Sequence, residues 1–242
     1  MKQLIIVCVL VISNALYAQI AVFQPVKVPA GQAAQFEEIE LNYSKKIAQN
    51  AVNDGKLQFW VLFKAFNPGP DDYNYMWISV YQDLKAATAG TPWWNNAEDL
   101  VGIPSNILYS GHSTLTWDRS YYYEMALEIP EIAPPAYVLF NFASPENLSA
   151  SMEQIKTIAI PHFKKKMPSA GLVGWGMGLK ITPKGDDYAS MMVYDSYNSL
   201  EAAMEHLAGR AALEGLPAGK VDPIKWSMRP LMQVLSRTEP KQ

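Results

Sequence analysis

Apolar runs and helically spaced apolar positions alternate along the chain in an order that occurs twice. Ile20 to Val28 is an apolar run of strand length. In the segment after it, Phe36, Ile39, Tyr43 and Ile47 recur at spacings of three and four, which predicts a helix with one buried face. Leu57 to Phe66 and Tyr73 to Tyr81 read as strands joined by the turn Asn67-Pro68-Gly69-Pro70-Asp71. A long connection then leads to a closing strand over Asp118 to Ile129. The second pass opens with Tyr137 to Ala143. Ser144-Pro145 offers a helix N-cap with proline in the first turn. Leu148, Met152, Ile155, Ala159 and Phe163 keep one helical face, and Pro161 is a candidate end for that helix. Strands over Leu172 to Ile181 and Tyr188 to Tyr194 follow. A helix from Leu200 has Ala203, Met204, Leu207 and Ala211 as its stripe, and Lys225 to Ser236 closes the pass.

The two passes align residue by residue. At an offset of 115, Trp60 meets Trp175, Pro68 meets Pro183, Asp71-Asp72-Tyr73 meets Asp186-Asp187-Tyr188, and Met76 meets Met191. At an offset of 116, Tyr81 meets Tyr197, Leu84 meets Leu200, and Ala86-Ala87 meets Ala202-Ala203. Such a repeat marks an architecture built from one unit used more than once. Each unit reads β-α-β-β-α-β, the ferredoxin-like order, and the units span 19–133 and 134–242. The strands are apolar on both sides, with Phe59, Val61, Phe63 and Ala65 on one face and Trp60, Leu62 and Phe66 on the other. Both faces must therefore be covered. The expected fold class is α+β: two tandem ferredoxin-like units with sheets packed face to face and helices outside.

Residues 1–18 carry a different signal. Met1-Lys2-Gln3 is a short basic start, Leu4 to Ile12 is an apolar run, and Ser13 to Ala18 is a polar exit ending on a small residue. This order predicts an export signal peptide cut after Ala18, too short in its apolar part to span a bilayer. The single cysteine, Cys8, lies within it. The remaining chain then has no thiol for a disulfide, a metal or nucleophilic attack. No transmembrane anchor follows, and the expected location is periplasmic or secreted. The net charge of −3 is spread in mixed sign, with no basic stripe for nucleic acid.

Two fused units of this kind resemble the dimeric α/β-barrel superfamily, and the fold that resemblance implies is a fused dimeric α/β barrel with the two sheets face to face. The resemblance covers nearly all of the chain after residue 18 and rests on topology and the repeat. That superfamily includes antibiotic-biosynthesis-type monooxygenases, haem-degrading enzymes and chlorite-dismutase-like proteins. No motif selects one branch, so no catalytic residue is carried over. With both units in one chain, the expected state is a monomer.

The candidate chemistry is sparse. No nucleophile elbow, phosphate-binding loop, dinucleotide fingerprint or zinc-protease motif occurs. His162 falls inside the apolar stripe of its helix and could face a pocket as a haem ligand or proton carrier; it could equally be a core-edge histidine bonded to a carbonyl. His206 lies off its helix stripe and reads as exposed, and His112 reads as a solvated loop residue. Gly174, Gly176 and Gly178 share one face of a strand, which marks close approach of a helix, a backbone or a ligand. Trp175 and Met177 crowd the opposite face. The paired aspartates of the two turns fit turn chemistry. The segment from Trp93-Trp94 to Tyr123 is aromatic enough to line a ligand mouth or a partner surface. Three roles stay open. The first is binding of a small apolar ligand, with Trp60, Trp175 and Met177 lining the pocket. The second is a haem-dependent or cofactor-free oxidoreductase, and the third is an interaction module using residues 93–123.

Overall fold

The structure, a computed structural model, describes residues 19–217 and 224–241. The expected signal peptide lies outside the described residues. The strands are β1 (Ile20–Lys27), β2 (Phe59–Ala65), β3 (Tyr75–Tyr81), β4 (Thr116–Trp117), β5 (Tyr121–Ile129), β6 (Tyr137–Ala143), β7 (Leu172–Thr182), β8 (Met191–Tyr197), β9 (Trp226–Met228) and β10 (Leu231–Arg237). Eight of them pair in the order β10-β2-β3-β1-β5-β7-β8-β6, and β6 pairs back to β10. The result is a closed antiparallel barrel. β4 and β9 are short additions on β1 and β6.

The sheets expected to pack face to face are here parts of one closed barrel. The sheets also join along their edges, through the β5–β7 ladder on one side and the β10–β2 ladder on the other. An open edge presents unpaired N–H and C=O groups, and closure removes it. Within each set of four strands the order is the same: β2-β3-β1-β5 and β7-β8-β6-β10.

Helices cover the outside. In the first half α1 (Ala33–Ile39) and α2 (Lys45–Asn53) are continuous through a π-helical turn at Glu40–Ser44. They are followed by the short helices α3 (Leu84–Thr88), α4 (Ala97–Val101) and α5 (Ser105–Leu108). In the second half α6 (Leu148–Gln154) and α7 (Ile160–Ala170) are joined by a π-helical turn at Ile155–Ala159, and α8 (Leu200–Leu207) follows β8. Two local expectations shift. The cap of α6 is Asn147, whose side chain accepts from the Ala150 amide at 2.9 Å, and not Ser144. Pro161 does not end its helix, because it falls in the first turn of α7, where a missing N–H costs little.

Strand alternation sorts the apolar residues into three cores. Trp60, Leu62, Tyr75 and Trp77 point outward beneath the helices of the first half. Trp175, Met177, Val193 and Tyr197 do the same in the second half. Phe23, Val61, Phe63, Ile78, Tyr123, Phe140 and Met192 point inward and fill the middle of the barrel. The rings there lock one another, Phe23 lying 4.9 Å from Tyr123 and 5.5 Å from Phe140.

Candidate ligand site in the barrel

The site is built on the inner face of β7. Gly174, Gly176 and Gly178 occupy alternate inward positions, and the next residue on that face is Lys180. The glycines admit side chains from other strands. A Cβ at Gly176 would collide with the Tyr194 ring, and one at Gly178 would stand 3.1 Å from Tyr123 and 3.4 Å from Met192. The close approach expected at this stripe is therefore to tyrosine and methionine at Gly176 and Gly178, and to Glu131 at Gly174. The helix α7 packs on the other face, against Trp175 and Met177.

Lys180 ends the stripe at one mouth of the barrel. It is 8% exposed, and its Nζ lies over three rings, 4.7 Å from the centroid of Tyr121, 5.1 Å from Tyr123 and 5.6 Å from Tyr188. Among the described residues no carboxylate comes within ion-pair distance of it. Burial lowers its pKa from the usual lysine value. The tyrosines are held from outside. Tyr121 donates its hydroxyl to Asp118 Oδ2 at 2.5 Å, and Arg119 donates to the Tyr188 hydroxyl at 2.6 Å while lying over its ring. Burial first, then Asp118, raise the pKa of Tyr121, and burial raises that of Tyr123. Lys180, the three tyrosines and Asp118 border a cavity of about 850 Å³ that also touches Phe23, Ala65, Met76, Phe142, Met228 and Arg229.

A second cavity, of about 410 Å³, opens from the other end and shares Phe23 with the first. Its mouth holds Glu128, Glu131 and Arg237, the last two paired at 2.8 Å. Tyr194 reaches it from within, its pKa raised by burial and then by the two glutamates.

The residues singled out from sequence fall in several places. The three glycines lie on the inner face that carries Lys180. Trp60, Trp175 and Met177 line neither cavity, because strand alternation turns them outward into the helix-covered cores. Trp93 is buried against the first half, its indole N–H 3.4 Å from the Tyr81 hydroxyl, and Trp94 packs edge-on beside it. Of the rest of that aromatic segment, Tyr123 points into the barrel, while Trp117 stays half exposed and stacks on Trp77. Sequence reasoning passed over Lys180, Asp118 and Arg119, while Tyr121 entered it only within the aromatic segment 93–123 and Tyr188 only within the repeated turn.

Of the two readings of His162, the structure shows the carbonyl-bonded one. His162 Nε2 is 2.8 Å from the Ala212 carbonyl, and neither cavity touches it. The space between α7 and the sheet is occupied by Phe163, Met167 and Trp175. The Trp175 indole N–H has no partner there, but one orphan donor does not make room for a porphyrin. His162 and its surroundings therefore do not fit haem. His206, expected exposed, is buried, and Met204 is the exposed residue of its helix. His206 Nδ1 lies 2.5 Å from the Tyr197 hydroxyl, with Asp195 4.0 Å from its other nitrogen. Arg229 donates to Asn141, and Asn141 to Asp195, both at 2.7 Å. Burial is the largest influence on both members, lowering His206 and raising Asp195, so it favours their neutral forms. His112 is half buried and meets Glu40 at 2.9 Å. No group of three or more metal-ligating side chains occurs among the described residues. Nor, among them, is any helix long and apolar enough to cross a membrane.

Solved structures that share this barrel fold align with nearly the whole chain. A candidate monooxygenase from Fusobacterium nucleatum aligns with a TM-score of 0.63 at 13% identity, over 93% of this chain and 97% of its own. A mutant chlorite dismutase from Candidatus Nitrospira defluvii aligns with a TM-score of 0.53 at 9% identity, over 91% of each chain. A haem-binding protein from Thermus thermophilus gives a TM-score of 0.55 at 8% identity, over 90% of this chain and 92% of its own. At these identities the likeness is one of fold. No family model matches the chain, and no curated protein resembles it in sequence.

Proposed function

We propose that this protein binds a small, largely aromatic molecule bearing an anionic or acidic oxygen in the Lys180 mouth of the barrel. Lys180 carries the reading. A buried cation is normally paired, yet this one has tyrosine faces and, among the described residues, no carboxylate within ion-pair distance. A ligand oxygen would supply the missing partner, and the tyrosine, phenylalanine and methionine walls suit an aromatic body.

The test uses 2-naphthoate beside its neutral counterpart 2-naphthylmethanol, each titrated by fluorescence against the protein. The expected result is tighter binding of the anion. Lys180→Met should weaken it roughly tenfold or more, the effect of losing a hydrogen bond to a charged group worth about 1.5–3 kcal/mol. His162→Ala should leave it unchanged. Equal affinity for the two probes, or indifference to Lys180→Met, would remove the reading.

A second reading is supported by the candidate monooxygenase and the chlorite dismutase that share the fold. Here the same mouth belongs to a cofactor-free oxidoreductase, with Lys180 accepting the proton of a bound phenol or enol. Oxygen uptake with such a substrate, lost in Lys180→Met, distinguishes it from binding alone.

The chain itself reads as two fused ferredoxin-like units, over 19–133 and 134–242, preceded by an export signal over 1–18. Three correspondences support the duplication. The strand orders match, and the π-helical turns recur at an offset of 115, from Glu40 to Ile155. The caps Asp83 and Ser199 start α3 and α8 alike. N-terminal sequencing of the exported protein tests the cut before Gln19.

A further inference from the structure

We propose that the Lys180 amine captures a carbonyl compound, an aromatic aldehyde or ketone, as an imine in the barrel mouth. This rests on the reading of the mouth as a site for small aromatic molecules and names the chemistry its amine would perform. Three observations carry it. The amine is buried against ring faces, and among the described residues no acid lies within ion-pair distance of it. It borders a cavity of about 850 Å³, room for an aromatic carbonyl compound. The phenols beside it are polarised in opposite senses. Tyr188 accepts from Arg119, which leaves its own proton free to be given. Tyr121 spends its proton on Asp118, which leaves its oxygen to accept.

In the step itself, the nitrogen lone pair of the neutral amine attacks the carbonyl carbon, and the C=O π pair moves to oxygen. A proton passes from nitrogen to that oxygen, giving a carbinolamine. The hydroxyl then leaves as water, with a proton supplied by a phenol such as Tyr188, and the C=N bond forms. One water is released for each carbonyl bound, and no oxidant or reductant takes part. The burial that lowers the lysine's pKa supports the neutral amine. The tyrosine faces then stabilise the protonated imine as they would an ammonium group.

The experiment treats the purified protein with 2-naphthaldehyde and cyanoborohydride, which reduces an imine to a stable amine, and maps the product by mass spectrometry. The expected result is a single naphthylmethyl adduct at Lys180, formed faster than at any other lysine and suppressed by 2-naphthoate. Lys180→Arg keeps a cation of similar reach and forms no adduct there, while Lys180→Met checks the loss without a charge. If Lys180→Met does not fold by near-ultraviolet circular dichroism, Lys180→Arg decides. Adducts spread evenly over surface lysines would overturn the proposal. So would 2-naphthoate binding without an adduct at Lys180, which would leave the binding reading in place. Absence of both would remove the two together.

Discussion

A side chain at Gly176 would occupy the place of the Tyr194 ring. Gly176→Ala is therefore expected to destabilise the protein by about 1–3 kcal/mol, the usual cost of overpacking an interior. In urea unfolding, the added Tyr194→Ala should return part of that loss, so the double variant is less destabilised than the single effects together. Additive effects would mean the ring has other room to move. The glycine stripe was visible in the sequence because alternation in a strand is strict. The same alternation leads from Gly174, Gly176 and Gly178 to Lys180, so the central residue was within reach of that pattern. Its neighbours were not. Tyr121 and Tyr123 come from β5 through the β5–β7 pairing, and Tyr188 comes round the turn between β7 and β8, so it is their meeting on Lys180 that depends on a distant pairing. No local spacing encodes a contact of that kind.

The order of strands and helices was legible from the apolar runs and the spacings of three and four, whereas the rotation of a short helix was not. In α8 the apolar stripe suggested that Met204 faces in and His206 out, yet Ala203 and His206 are the buried pair. Tyr197 and Asp195 on β8 explain the difference, since they give an imidazole polar company that a methionine cannot use. The burial has a pH signature. Because the His206 pKa is lowered, the unfolded chain takes up a proton below the usual value of 6.5 that the folded chain refuses, so stability falls as the pH drops through that range. Asp195, raised by burial, acts in the opposite sense at more acid pH: there the folded chain gains the proton first. Urea midpoints followed from neutrality downward should show the loss that starts near 6.5. His206→Gln should flatten it. An unchanged slope in that variant would assign the acid sensitivity to other groups.

At the scale of the molecule, β10 holds the barrel shut, pairing with β2 of the first half and β6 of the second. Because both seams are satisfied within one chain, the protein is expected to run as a single copy in light scattering. A stable dimer would show that another surface, such as the half-exposed Trp117, is used between chains. The face-to-face arrangement expected from two-sided apolar strands was incomplete for a related reason: pattern shows that a face is covered, but edge pairing between distant segments leaves no mark in it.

Closure within one polypeptide has a consequence for how the lumen can be furnished. Ala65 on β2 and Lys180 on β7 stand at matching places in the two halves, and both border the same cavity. A homodimer built from one gene product would have to present the same residue twice across its dyad. Two ammonium groups in one low-dielectric chamber would repel each other strongly. On the reading of the chain as two fused units, that symmetry is broken by coding: one unit keeps a methyl group where the other carries an amine. Each mutation is then felt once, and one half can specialise while its counterpart preserves the walls.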